Sequence, residues 1–466
     1  MSDRMDGIPL GSLPQTFNDT VTVARALAVR FVWIDSLCIV QDSALDWEIE
    51  SRKMGEYYAN SLLTIAAINA SGSSGGLFSQ TSPLELAPYP MAVTLPPPTL
   101  LTPGFFRPSH VEDPSRKTDG FQRPPLWQRA WVLQERLLSP RLLMFSTTQM
   151  SWRCRTEEAS EQIPEGSSMW IGRSNEDRVV KPILDRLQKL GGDTFIGPDE
   201  IPSTRIPDEA TRDTKAIYDA WYDLVMLYGK CSLTYPSDVF PAISGIASSI
   251  HRASGAQYVA GLWKPDLHRG LMWTAPDSTS SRTDLREYRA PSWSWASLPA
   301  TCTFFVRELI QEKPDASCMD IEEAAVQIQG ANPFGETSSG RLRVRGFLKP
   351  ACPYFRDGGL DPLLEEIKAP AHWRSGDNLF DLNTRTPVGR YTPDNIDRKH
   401  IAQIWCAPVM TEVHPASRRE ENKIGAQCLA LYSLDLARCE YMRVGFVWVH
   451  DFGWFSDCAM SSYSVI

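Results

Sequence analysis

Several signals are missing from this 466-residue chain, and each absence removes a class of function. Its ten cysteines, at 38, 154, 231, 302, 318, 352, 406, 428, 439 and 458, form no C-x-x-C pair, and the seven histidines never join them at zinc-finger spacing. Reduced thiols are therefore expected, with no disulfide framework and no structural metal. No apolar run approaches the ~20 residues needed to cross a bilayer, and the opening MSDRMDGIPLGSLPQT lacks the apolar heart of a secretion signal. The expectation is a cytoplasmic protein with no membrane span. Charge of one sign never accumulates: 47 Lys and Arg against 56 Asp and Glu leave −9, so no nucleic-acid or anionic-membrane partner is indicated. Phosphate-cradling glycine loops and the nucleophile elbow G-x-S-x-G are also lacking, which disfavours nucleotide kinases, standard dinucleotide enzymes and α/β-hydrolases.

What is present suits a multi-domain globular chain, with 42% hydrophobic and 10% aromatic residues. Pro14 to Arg30 reads as a helix with Phe17, Val21, Ala24 and Ala28 on one side. Phe31–Ile34 reads as a short buried strand, and SLLTIAAINA (61–70) as another. A helix opened by Asp46 as N-cap lies between them, so the spacing predicts a βαβ unit and a parallel sheet. GSSGGLF (72–78) closes this unit as a flexible or ligand-approaching loop, and the proline-rich stretch 80–125 reads as a surface excursion. Trp127, Ala130, Trp131, Gln134 and Leu138 share a second helical face, followed by paired strands at 141–145 and 149–153.

Farther along, 155–215 is polar, with one helix expected near 176–190. Tyr218, Trp221, Leu224 and Val225 lie at core spacing in a third helix, and Ser237-Asp238 is placed to cap a fourth. From about 290 onward, PSWSWAS, RLRVRGFLKP, CLALYSLD and YMRVGFVWV read as short strands of a β-rich unit. The resulting division is an α/β domain over 1–155, a loop-rich insertion over 156–215, a helical segment over 216–290 and a β-rich region over 291–466.

The helix 46–59 carries the main chemical question. Trp47, Glu50, Met54 and Tyr57 fall on one face at spacings of three, four and three, which places a carboxylate in a stripe that a helix buries. An inward-facing carboxylate needs a partner or a purpose. Two readings stand: an ion pair with an arginine of WQRAWVLQERLLSPR, or a catalytic group. Asp35, followed by Ser36, sits where the first strand would end, the rim at which open α/β sheets hold ligands, although a turn-capping role is equally consistent. Cys38 has no upstream histidine and reads as a buried, inert thiol. Tryptophans 127, 131, 293 and 295 read as core, since no basic stripe interleaves them.

Three stretches taken together resemble the fungal heterokaryon incompatibility (HET) domain family: FVWIDSLCIVQDSALDWEIESRKMGEYYANSLLTIAA, RAWVLQERLLSPRLLMF and, beyond the domain, RAPSWSWAS. The resemblance implies a protein of non-self recognition and programmed cell death. It also implies a fold similar to the TIR domain, some of whose members cleave the nicotinamide–ribose bond of NAD with a glutamate just after a tryptophan. Trp47 and Glu50 resemble that pair, one residue closer than in Trp-Cys-x-x-Glu. On this analogy Glu50 is the catalytic residue, Asp35, Ser36 and Trp47 contact the ligand, and NAD is substrate with no resident cofactor. Self-association or a second incompatibility protein is the implied partnership, and a non-enzymatic module or an inactive remnant are the alternatives. The family's opening strand, Tyr-x-Ala-Leu-Ser-Tyr-x-Trp-Gly, has no counterpart here, so a sheet short of its first strand is expected.

Overall fold

The computed structural model describes residues 7–79, 89–91, 104–106, 124–154, 157–167, 210–275, 288–299, 301–304, 317–354, 377–394, 401–413 and 424–466. Most of the proline-rich excursion and the helix expected at 176–190 lie outside these residues. The chain divides into two compact units, Met1–Thr194 with Cys231–Leu233, and Phe195–Lys230 with Thr234–Ile466.

In the first unit, helix α1 (Gln15–Ala26) starts directly after Pro14, whose fixed φ suits a helix entry. Ala28, expected inside the helix, lies beyond its end at φ +54°. Asp19 is buried on α1 and accepts from the backbone N–H of Leu77 at 2.7 Å, while the Thr16 hydroxyl accepts from Gly76 N–H at 3.0 Å. The 72–78 loop is therefore fastened to α1 rather than free. Gly76 takes φ +76°, and a Cβ there would stand 2.9 Å from the Asp19 carboxylate, so only glycine fits.

The strand expected at Phe31–Ile34 does not form. Residues 29–34 have no regular structure and Phe31 is 84% exposed. A strand needs a neighbouring ladder, and β1 (Thr64–Ala67) pairs instead with a later strand. One helical turn at Asp35–Cys38 leads to α2 (Ala44–Ala59), whose N-cap is Ser43: its hydroxyl accepts from Asp46 N–H at 3.2 Å. Asp46 is thus not the cap. It sits in the first turn, where its carboxylate accepts from Val40 N–H at 2.7 Å and closes the preceding loop.

Helix α3 (Ala130–Leu138) precedes β2 (Arg141–Phe145), β3 (Met150–Cys154), β4 (Glu158–Ser160) and β5 (Ile163–Ser167). They form one sheet in the order β1-β2-β3-β4-β5. Only β1 and β2 run parallel, with Thr64 opposite Leu142, and the remaining neighbours are antiparallel. A small core of Ala66, Ile68, Trp127, Val132, Leu142 and Met144 joins α3 to this sheet. The parallel pair therefore crosses over through α3, not through α2 as the spacing predicts.

The second unit has a helical part and a strand part. Helix α4 (Ala210–Tyr228) buries Tyr218, Trp221, Leu224 and Val225 as its periodicity predicts, and α5 (Ser244–Ser254) ends on left-handed Gly255. Ser237 and Asp238 lie in a separate 3-10 turn and do not cap α5. PSWSWAS is not a strand either. It is a tight turn ending in a 3-10 turn at Trp295–Ser297, which packs Trp293 and Trp295 into the core. The indoles of Trp221 and Trp295 both donate to the carbonyl of Gly261.

The strands are β6 (Met319–Ile328), β7 (Thr337–Gly346), β8 (Lys349–Tyr354), β9 (Asp377–Asp381), β10 (Pro387–Pro393), β11 (Ile404–Val413), β12 (Ile424–Asp435), β13 (Glu440–Val449) and β14 (Ser461–Val465). Six of them close a ring, β8-β9-β10-β13-β12-β11 and back to β8, every pairing antiparallel. This is a six-stranded barrel around Leu379, Tyr391, Ile404, Cys406, Cys428, Val447 and Val449. The β6-β7 hairpin joins it through β14, which pairs with β7 antiparallel and with β13 parallel. All ten cysteines are free thiols. Among the described residues no helix is long and apolar enough to cross a membrane.

Candidate functional site

Helix α2 places four of the residues singled out above, but not all on one buried face. Its buried members are Ser51, Met54 and Gly55. Trp47 is 38% exposed and meets the edge of Trp131 on α3, ring centroids 6.5 Å apart. Glu50 lies at the margin of the packed face, its side chain 16% exposed. One carboxylate oxygen pairs with Lys53 Nζ at 3.2 Å and the other accepts from the Tyr57 hydroxyl at 2.6 Å. The expected arginine partner is thus replaced by a lysine and a tyrosine from the same helix. Burial, and then the Glu50 hydrogen bond and charge, push the Tyr57 hydroxyl up to about 12.

Asp35 opens the single turn after the irregular 29–34 segment, not the end of a strand. Its carboxylate accepts from Ser36 N–H at 2.7 Å, and its carbonyl receives Ile39 N–H at 3.0 Å. Ser36 is exposed, and so is Cys38, against the expectation of a buried thiol. Trp33 bridges this segment to α2. Its ring lies 5.1 Å from that of Tyr57 and 5.9 Å from that of Tyr58.

Tyr58 leads to a group that helical periodicity did not single out. Its hydroxyl donates to the carboxylate of Glu135 on α3. Burial raises the Glu135 carboxyl from the ordinary range to about 7, with Asp35 adding to the rise while the Tyr58 hydrogen bond and Arg129 oppose it. The anchor of α3 is the turn that follows it, where the Ser139 hydroxyl bonds Glu135 O and Thr64 Oγ1, both at 2.6 Å. The sequence offers only its spacing: Glu135 stands four residues after Trp131, as Glu50 stands three after Trp47, but Gln134 and Arg136 flank it and nothing local points to Tyr58.

The outcome is a polar assembly built by three segments. Trp33 and Asp35 come from the loop and its turn, Glu50, Tyr57 and Tyr58 from α2, and Arg129 and Glu135 from the start and body of α3. Adjacent tyrosines on α2 each hold one glutamate, and one indole touches both tyrosine rings. Two carboxylates in unlike environments are the raw material of acid–base division of labour. Among the described residues no group of three or more His, Cys, Asp or Glu is placed to hold a metal ion.

Comparison with known proteins gives one family match. The model described as Heterokaryon incompatibility protein (HET) matches residues 2–135, which takes in Trp33, Asp35, α2 and most of α3. No curated protein and no solved structure matches the chain.

Proposed function

We propose, from the premise that residues 2–135 are a heterokaryon incompatibility (HET) domain, that the protein acts in fungal non-self recognition and regulated cell death, in the cytoplasm, by cleaving NAD. The observation that carries the enzymatic reading is Glu50, a mostly shielded carboxylate whose orientation is fixed by the Tyr57 hydroxyl at 2.6 Å. NAD suits so sparse a site. Its nicotinamide is already cationic and departs neutral, so no acid need protonate the leaving group. A fixed carboxylate facing the ribose stabilises the oxocarbenium-like centre as the bond breaks. Trp47, Asp35 and Ser36 are the proposed ligand contacts. The test is nicotinamide release from NAD by purified full-length protein, wild type beside Glu50→Gln. A loss of a hundred-fold or more in the variant supports the reading; equal rates in the two proteins end it.

A second reading rests on a different observation. Phe31, Leu45 and Ile49 are exposed apolar side chains in and beside the same helix, with Leu45 68% exposed. Exposed apolar side chains of this kind support a module that signals by self-association without catalysis. It predicts that Phe31→Asp with Leu45→Asp lowers the sedimentation coefficient and abolishes toxicity, whereas Glu50→Gln changes neither.

A further inference from the structure

We infer that Glu135 is a second functional carboxylate of the HET domain, the base that takes the proton of the attacking water, held by Tyr58 and Arg129. The inference rests on the NAD-cleaving reading of Glu50 and adds to it a residue, a role and a pH dependence.

The geometry behind it is the paired construction on α2. Tyr57 and Tyr58 are consecutive, each donates to one glutamate, and Trp33 lies against both rings. Glu50 already holds an ammonium and a phenol. Glu135 is approached by one hydroxyl from α2, one carboxylate from the Asp35 turn and one guanidinium from the residue preceding its own helix. These are the charged and titratable groups that face it. They oppose one another, and burial decides the balance, so this acid exchanges its proton near neutral pH.

The chemistry closes with these two groups. The C1′–N bond of the nicotinamide riboside breaks and its electron pair returns to the pyridine nitrogen, which leaves uncharged. Water then forms the new C1′–O bond and passes its proton to the Glu135 carboxylate. The neutral acid later releases that proton to solvent. The Glu50 carboxylate stabilises the positive charge that develops on the sugar, and Glu135 removes the proton.

The experiment is the pH profile of nicotinamide release between pH 5.5 and 8.5, made with the full chain. Wild type should gain activity as pH rises through about 7, where Glu135 ionises. Glu135→Gln should lose a hundred-fold or more and lose that limb. Sodium azide, a nucleophile that carries no proton to remove, should restore turnover to Glu135→Gln with a ribosyl azide as product, and should not rescue Glu50→Gln. Two milder variants guard against a merely structural effect. Tyr58→Phe removes a bond that favours the ionised form, so its midpoint should move up; Asp35→Asn removes a repelling charge, so its midpoint should move down. If Glu135→Gln retains the wild-type rate and limb, or azide fails to rescue it, or the midpoints of Tyr58→Phe and Asp35→Asn stay put, the role assigned to Glu135 falls while the Glu50 reading stands. If wild type releases no nicotinamide at any pH, the Glu50 reading falls and this inference goes with it.

Discussion

Tyr57 is the side chain whose proton reports on Glu50. Its hydroxyl is held at about 12 by burial first and by the Glu50 bond and charge second. Spectrophotometric titration of Glu50→Gln should therefore show one tyrosine moving down from about 12 but staying above 10, because the burial remains. Glu135 gives a matching prediction in stability. Its carboxyl ionises at about 7 folded against an ordinary 4.5, so the folded form binds the extra proton between those values. Stability from this group is complete below about pH 4.5 and is lost as pH rises through about 7. The size is at most about 3–4 kcal/mol, at about 1.4 kcal/mol for each unit, and smaller for the part of the residue that water reaches. Denaturant unfolding of the first unit should show Glu135→Gln less dependent on pH from 5 to 8 than wild type. A helical wheel was enough to mark Glu50 as an acid in an apolar neighbourhood. It was not enough to see that Ser51 and Gly55, small residues of no obvious hydrophobicity, are buried on the helix that packs against α3. Glu135 escaped because its meaning depends on Tyr58, a long-range partner that no local period reveals.

Elements were legible where local chemistry alone decides them and illegible where a neighbour does. Helices α2 and α3 declare themselves through period and flanking residues, whereas α1 stops at Ala26, short of Arg30, and α4 begins at Ala210, inside the stretch read as a polar insertion. Phe31–Ile34 has the composition of a strand, yet β propensity measures fit to an adjacent ladder, and this segment has none. PSWSWAS misleads in the same way. Its aromatic residues serve packing, and its turn is fixed by Ser294, whose hydroxyl accepts from Ala296 N–H and donates to the Ala260 carbonyl at 2.6 Å. At the start of α2 two neighbouring polar residues divide the capping between them, since Ser43 caps the helix and Asp46 secures the loop before it. Ser43→Ala should cost about 1 kcal/mol of first-unit stability in denaturant unfolding. Asp46→Asn should leave the helix in place and raise amide exchange at Val40.

At the scale of the whole second unit, one arginine joins the barrel to the helical part. Arg443 on β13 is fully buried, pairs with Asp394 at 2.8 Å, lies 3.5 Å above the Trp273 ring and donates to the carbonyls of Leu271 and Trp273. In the run YMRVGFVWV Arg443 is the one charged side chain, a lone cation in an apolar strand, but only the fold shows the carboxylate that meets it. Arg443→Met would leave the Asp394 charge buried and alone, and should cost about 3–5 kcal/mol in denaturant unfolding. Adding Asp394→Leu should recover most of that loss, because a matched apolar pair needs no solvation.

The placement of β14 has a consequence for how the protein is made. Residues Ser461–Val465 lie between β7 and β13, and Ile466 is tied to Ser292 and Tyr441 through its backbone carbonyl and N–H. During translation these residues leave the ribosome after every strand they join. The β6-β7 hairpin must therefore wait with one edge bare, and the sheet is completed only once Ser461–Val465 have emerged from the exit tunnel. A chain cut short after residue 460 should accordingly be cleaved by protease between 319 and 346 faster than one that contains Ser461–Val465.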